Sequence, residues 1–285
     1  MRKPGLGIAC LAMTLVWFAN GTRSSDAKSM VGQAKPIRAL LVLGGCCHDY
    51  VQQKDILVKG LQARANVVVT VAFDPDKGTT HLNPVYEKTD WAKDYDVIIH
   101  DECTSDVKDL AQIKNILEPH KNGLPAVLLH CGEHSYRSET FPKTTPWFEF
   151  TGLASTGHGP QQPIGIAFTD KKQRISKNAM DWTTVNEELY NNIDGKLLET
   201  ARPLATGTQK YKNQKGEDVE ANSVVTWVNT YNGKTRVFCT TIGHNNETVQ
   251  DARYLDMVAK GLLWSVRHLD SEGKPAEGYG PNKAL

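Results

Sequence analysis

The chain has 285 residues and nearly balanced charge, 33 basic against 32 acidic side chains for a net of +1. With no long basic run, nucleic acid or an anionic membrane is disfavoured as its main partner. The length suits one large α/β domain or two small ones, and a core of that size needs no cysteine staples.

Met1, Arg2 and Lys3 make a short basic start, residues 6–19 are apolar and uncharged, and small and polar residues follow to Ala27. Residues 1–27 therefore read as a secretory signal peptide, with cleavage near Ala19 or Ala27. The apolar run falls short of the ~20 residues a membrane span needs. A secreted or periplasmic location is expected, with no stable membrane insertion once the leader is removed. Cys46, Cys47, Cys103, Cys131 and Cys239 then remain, an odd and widely spaced set unlike a small disulfide framework. An oxidising compartment permits one or two bridges, and burial as small core residues is expected for most. Cys46 and Cys47 should point to opposite sides if they extend a strand.

From residue 36 the chain alternates strand and helix signals. Residues 37–43 read as a central parallel strand, 67–73 as a second strand rich in β-branched residues, and 95–100 and 126–130 as the third and fourth, with helical stripes at 55–65 and 107–117 between them. Three β–helix–β steps imply right-handed crossovers. The middle is less regular: a short helix over 144–151, a Gly- and Pro-rich loop over 155–163, and strands over 164–168 and 204–208. Residues 210–220 read as a solvated hairpin tip. Asn232-Gly233 is a strong turn signal between strands at 224–228 and 236–240. Residues 251–268 form the clearest helix, and the tail from 269 is polar and expected to fray. One domain over 36–268 is expected. Its fold class is α/β, a three-layer sandwich with a mostly parallel central sheet, flavodoxin-like or glutamine-amidotransferase-like.

Four apolar runs stop at a Cys or His: RALLVLGGCCH at His48, DVIIHDEC at Cys103, PAVLLHCGEH at His130, Cys131, Glu133 and His134, and TRVFCTTIGH at His244. In a parallel sheet these ends share one edge, where open α/β sheets bind ligands. His48 follows Gly44-Gly45, where a backbone can approach a ligand closely. His158 sits between glycines. Glu187-Glu188 with Tyr190 and Trp182 suits a sugar, a carboxylate handling a hydroxyl or a proton and a ring covering an apolar face. There is no GxGxxG and no GxxxxGK[ST], so a dinucleotide or P-loop site has no support.

These segments together resemble the ThuA-like, trehalose-utilisation family of the class I glutamine-amidotransferase-like superfamily. The resemblance rests on RALLVLGG with His48, DYDVIIHDEC, the segment ending at His130, Gly157-His158, Glu187 to Tyr190, Pro203, and Gly233 to Trp264. It implies sugar utilisation, and it maps His48, His130, His158, Glu188 and His244 onto recurrent polar positions. The chain departs from the amidotransferase pattern G-x-C-x-G. His130 falls nearest the nucleophile's offset and Cys131 one residue late, and such a slip turns a side chain to the other face. Glutaminase activity is therefore not expected.

The leading expectation is an exported enzyme acting on a small carbohydrate or oxidised sugar by hydrolysis, elimination or isomerisation. His130, His244 and Glu188 would be catalytic, and His48, His158, Glu133, Tyr190 and Trp182 would bind substrate. No cofactor is required. A divalent metal could be held by His48, His130, His158 and Glu188. The alternatives are a non-catalytic sugar-binding module using Trp147 and Trp182, and a Cys131-dependent hydrolase.

Overall fold

The structure is a computed structural model that describes Met1 and residues 34–138, 141–193 and 197–281. The expected leader over 1–27 lies outside the described residues, apart from Met1.

Strand β1 (Ile37–Gly45) alternates between two cores. Leu41 and Leu43 face a layer containing Leu57, Leu61, Val258 and Leu262. Leu40 and Val42 face the opposite layer, with Ile113, Leu117, Trp147 and Phe150. A strand buried on both sides must be apolar at every position, which is why the run carried no alternation. Helices α1 (Tyr50–Gln62), α5 (Ala252–Ser265) and the short α4 (Asn246–Val249) cover the first face, and α2 (Leu110–Lys121) and α3 (Pro146–Thr151) the second. Aspartates at 49, 109 and 251 start α1, α2 and α5 by accepting a hydrogen bond from first-turn N–H groups.

The remaining strands are β2 (Val67–Asp74), β3 (Val97–Cys103), β4 (Ala126–Leu129), β5 (Gln162–Phe168), β6 (Trp182–Glu187), β7 (Ala201–Lys212), β8 (Asp218–Tyr231) and β9 (Thr235–Thr240). They form one sheet in the order β2-β1-β3-β4-β9-β8-β7-β5-β6. The three-layer α/β architecture is as expected, but the sheet is evenly mixed. From β2 to β9 the pairings are parallel, and from β9 to β6 they are antiparallel. Strands β7, β8 and β9 are consecutive hairpins, whose short turns can join only antiparallel neighbours. The carboxyl ends of β1, β3, β4 and β9 share one edge, with Gly45 opposite Cys103 and Leu129 opposite Thr240.

Three local readings change. The expected short strands at 204–208 and 224–228 are the middles of β7 and β8, which continue as a long ribbon to a tip near Gly216. Strand β6 was not expected, because its alternation is short and half exposed. The tail does not fray over its described part. Leu269 pairs with Pro275, His268 stacks on Tyr279, and the Tyr279 carbonyl accepts the Asn66 N–H at 3.0 Å.

Cys46 and Cys47 do not point apart. They are joined as a disulfide between neighbouring residues, with Cα atoms 3.7 Å apart. Strand β1 stops at Gly45 and Cys47 takes a φ of 80°, so strand alternation no longer applies there. Cys103, Cys131 and Cys239 are free and buried. Among the described residues, no helix is long and apolar enough to cross a membrane.

Candidate functional site

Each imidazole is delivered by a local backbone device at the shared sheet edge. At the end of β1, a Cβ on Gly45 would lie 2.3 Å from the Cys103 carbonyl oxygen, and φ there is 91°. Only glycine permits that approach, and it leads the chain out to His48. At the end of β4, His130 takes a φ of 41° before the 3-10 turn His130–His134. A non-glycine residue in this region is held by its surroundings, and such bends between a strand and a helix push a side chain above the sheet. The His130 Nδ1–H donates to the Thr241 carbonyl at 2.6 Å, which fixes the tautomer and leaves Nε2 facing the site.

His244 is set by a third device. Gly243 has a φ of 133°, and a Cβ there would meet Tyr254 Oη at 2.8 Å. The buried Glu187 carboxylate accepts the N–H groups of His244 and Asn245 at 3.0 and 3.1 Å. Gln53 Nε2 donates to the His244 carbonyl at 3.0 Å. His158 is tied by a one-residue antiparallel bridge to Tyr190, while Asn191 Oδ1 accepts from the N–H groups of Thr156 and Gly157.

These devices bring His48, His130, His158, His244 and Glu188 together. The rings of His48 and His130 have centroids 4.7 Å apart, those of His48 and His244 4.8 Å, and those of His130 and His244 5.5 Å. Glu188 Oε2 lies 3.5 Å from His130 Nε2 and 3.4 Å from His158 Nε2, and its Oε1 lies 3.3 Å from His244 Nδ1. Gln161 Nε2 donates to Glu188 Oε1 at 3.2 Å and is 2.8 Å from His244 Nε2. His130 and Glu188 are buried, His48 and His244 are half-buried, and His158 and Gln161 are exposed. The cluster therefore grades from a dry floor to a wet rim. Through Gln161 and Asn245 it adjoins an open depression of about 440 Å³.

The electrostatics follow from this packing. Burial pushes the Glu188 carboxyl up, but the imidazoles of His130 and His244 outweigh it and hold the group well below the usual carboxylate range. Burial pushes His244 down, and Glu188 more than reverses this, so its pKa is raised. Cys131 is 3% exposed, and burial drives its thiol pKa well up. Its Sγ lies 3.1 Å from His48 Nε2 and accepts from Tyr190 Oη at 3.4 Å.

The other expected binding residues lie elsewhere or act differently. Trp182 is buried with Ile175 and Phe168 beneath the Arg253 guanidinium, away from the cluster. It opens β6, five residues of extended chain before Glu187, so nearness in sequence did not become nearness in space. Trp147 donates to the Gly132 carbonyl at 2.8 Å inside the second core. Glu133 is buried near Trp147 and Cys239, and burial pushes its carboxyl well up. Tyr190 is fully buried and serves as a plate, its ring centroid 4.8 Å from that of His130, 4.2 Å from His134 and 5.8 Å from His158. Gln161 and Glu187 were missed as contributors. Glu187 had a signal, its place beside Glu188, but Gln161 had none, being one polar residue in a loop of them.

The donors present can hold a metal ion: one ligand atom each from His48, His130 and His244 lies within 4.8 Å of the others. His244 thus takes the place expected for His158, which reaches the group through Glu188.

The family described as trehalose utilisation, ThuA, matches residues 38–265. The chain belongs to the ThuA family. A ThuA-like protein of solved structure from Parabacteroides merdae superposes on this ThuA domain with a TM-score of 0.59 at 17% identity, covering 86% of this chain and 97% of that one. A second, from Bacteroides uniformis, gives a TM-score of 0.59 at 17% identity, with coverage of 86% and 98%. At that identity the likeness speaks for the fold. No curated protein matches the chain. Family membership points to carbohydrate-related proteins in general.

Proposed function

We propose that this ThuA protein is an exported carbohydrate-utilisation enzyme that moves a proton on a small sugar or keto-sugar, in a hydrolysis, elimination or isomerisation. The observation that carries the reading is Glu188, a single carboxylate within 3.5 Å of three imidazoles at the carboxyl edge of the sheet. Those imidazoles keep the carboxylate ionised despite its burial, and a carboxylate set against an imidazole is a pair suited to proton transfer. His130 Nε2, with its tautomer fixed by Thr241, is placed to accept a proton. His244, with its raised pKa, is placed to donate one. His48, His158 and Gln161 line the wetter side, where sugar hydroxyls would be held. The adjoining 440 Å³ depression falls within the range of small-molecule sites.

The test is turnover of parent and 3-keto disaccharides, followed by mass detection, for the parent chain and for Glu188→Gln, His130→Ala and His244→Ala. A product that forms with the parent, and forms at least ~100-fold more slowly with Glu188→Gln, is the expected result. Calorimetric binding with an unaltered ligand would favour a sugar-binding module instead. Turnover that survives all three substitutions but is lost in Cys131→Ala would favour the cysteine hydrolase.

A further inference from the structure

The Nδ1 atoms of His48 and His244 are buried and make no hydrogen bond. That of His244 lies 3.3 Å from Glu188 Oε1 but is not aligned with it. A buried polar atom left unpaired costs on the order of 1–3 kcal/mol. His48 Nδ1, which has no such carboxylate beside it among the described residues, needs an explanation, and a bound ion is among those that native proteins offer.

The three rings are close enough to share one ion, a ring nitrogen of each lying within 4.8 Å of the others. Imidazoles bound to one zinc-like ion at about 2.0–2.1 Å have their ring centres roughly 5 Å apart. The centroids of His48, His130 and His244 are separated by 4.7, 4.8 and 5.5 Å, and the rings stand edge to face at 80°, 79° and 70°. His130 also shows the outer contact of a ligating histidine, its second nitrogen donating to the Thr241 carbonyl. Glu188 supplies a neighbouring negative charge. Nitrogen donors of this kind suit zinc, nickel, copper or iron rather than calcium or magnesium.

We propose that His48, His130 and His244 bind one divalent transition-metal ion, with Glu188 beside it. This rests on the functional reading above and changes one part of it: with the ion bound, the proton roles given there to His130 and His244 pass to Glu188. His130 and His244 act as ligands, the ion polarises a sugar carbonyl or hydroxyl, and proton movement falls to Glu188.

The experiment uses the full mature chain, stripped with chelator and titrated with Co(II), then with Zn(II), while the visible absorption of Co(II) is recorded. One equivalent bound, displaced by Zn(II), and affinity at least tenfold weaker in both His48→Ala and His244→Ala is the expected result. His48 is half-buried, so its variant should fold, and far-ultraviolet circular dichroism checks this. No stoichiometric binding would overturn the proposal. So would binding that survives both histidine substitutions, or a thiolate charge-transfer band that disappears in Cys131→Ala and places the ion on sulfur. Sugar turnover at full rate by the stripped chain, still lost in Glu188→Gln, would sink the metal and leave the proton-transfer reading standing. Stoichiometric binding with no sugar turned over would do the reverse.

Discussion

Cys131 sits one residue past the bend that presents His130, and that step decides its chemistry. His130 reaches the shared edge, while Cys131 stays buried beneath it, its Sγ 3.1 Å from His48 Nε2 and 3.4 Å from Tyr190 Oη. A thiol in that setting ionises poorly, and the thiolate is the reactive form. In the native chain at neutral pH, Cys131 is expected to stay unmodified by iodoacetamide and to react once the chain is denatured; peptide mass spectrometry reads both. Rapid native labelling would return Cys131 to the list of nucleophiles. His48, His130 and His244 were legible at this scale because each follows an apolar run, two of them past a glycine that releases the backbone, and His158 stood out between two glycines. The residue pattern alone did not separate Glu187 from Glu188, and it was the family resemblance that singled out Glu188. Neighbours on an extended chain point to opposite sides, and only the surroundings say which side is the site.

At the scale of elements, the loop after β9 depends on the end of β6. The Glu187 carboxylate accepts two N–H groups from residues 244 and 245, a charge-assisted pair buried from water. Glu187→Gln can accept at only one oxygen, so a loss of about 2 kcal/mol in unfolding free energy is expected. Sugar turnover should fall with it, because His244 loses its anchor. Urea denaturation beside turnover checks both, and a variant as stable and active as the parent would remove the positioning role. The parallel strands could be read directly from their apolar runs. Strand β6 and the outer part of the β7–β8 ribbon could not, because they are half exposed and stabilised by cross-strand pairing, which a linear pattern records weakly.

At the scale of the whole molecule, a buried polar network on the face opposite α1 and α5 ties stability to pH. His120 Nδ1–H donates to the Leu124 carbonyl at 2.8 Å, and its Nε2 lies 3.1 Å from His100 Nε2. His100 Nδ1 is in turn 2.9 Å from Glu102, which also accepts from Tyr86 and Tyr136. Burial, helped by the His100 charge, lowers the His120 pKa to about 3. The unfolded chain takes up a proton near pH 6.5, whereas the native one refuses it until about pH 3. Stability from this residue is therefore complete above pH 6.5 and is lost as pH falls towards 3, by about 2 kcal/mol between pH 7 and pH 5. Urea denaturation at the two pH values should show that loss in the parent and a flatter dependence in His120→Gln. An equal slope in both would refute the assignment. What the amino-acid sequence determined by itself was the alternation of strand and helix in the first half, the central place of β1, and the imidazoles at three strand ends, because each follows from local pattern and turn chemistry. Tertiary structure alone decided that Glu187 anchors the His244 loop, that Trp182 and Trp147 go elsewhere, that Gln161 joins the group, and that Cys46 bonds to Cys47. These outcomes turn on side-chain direction and on contacts between distant segments, and neither is written in the order of residues along one strand.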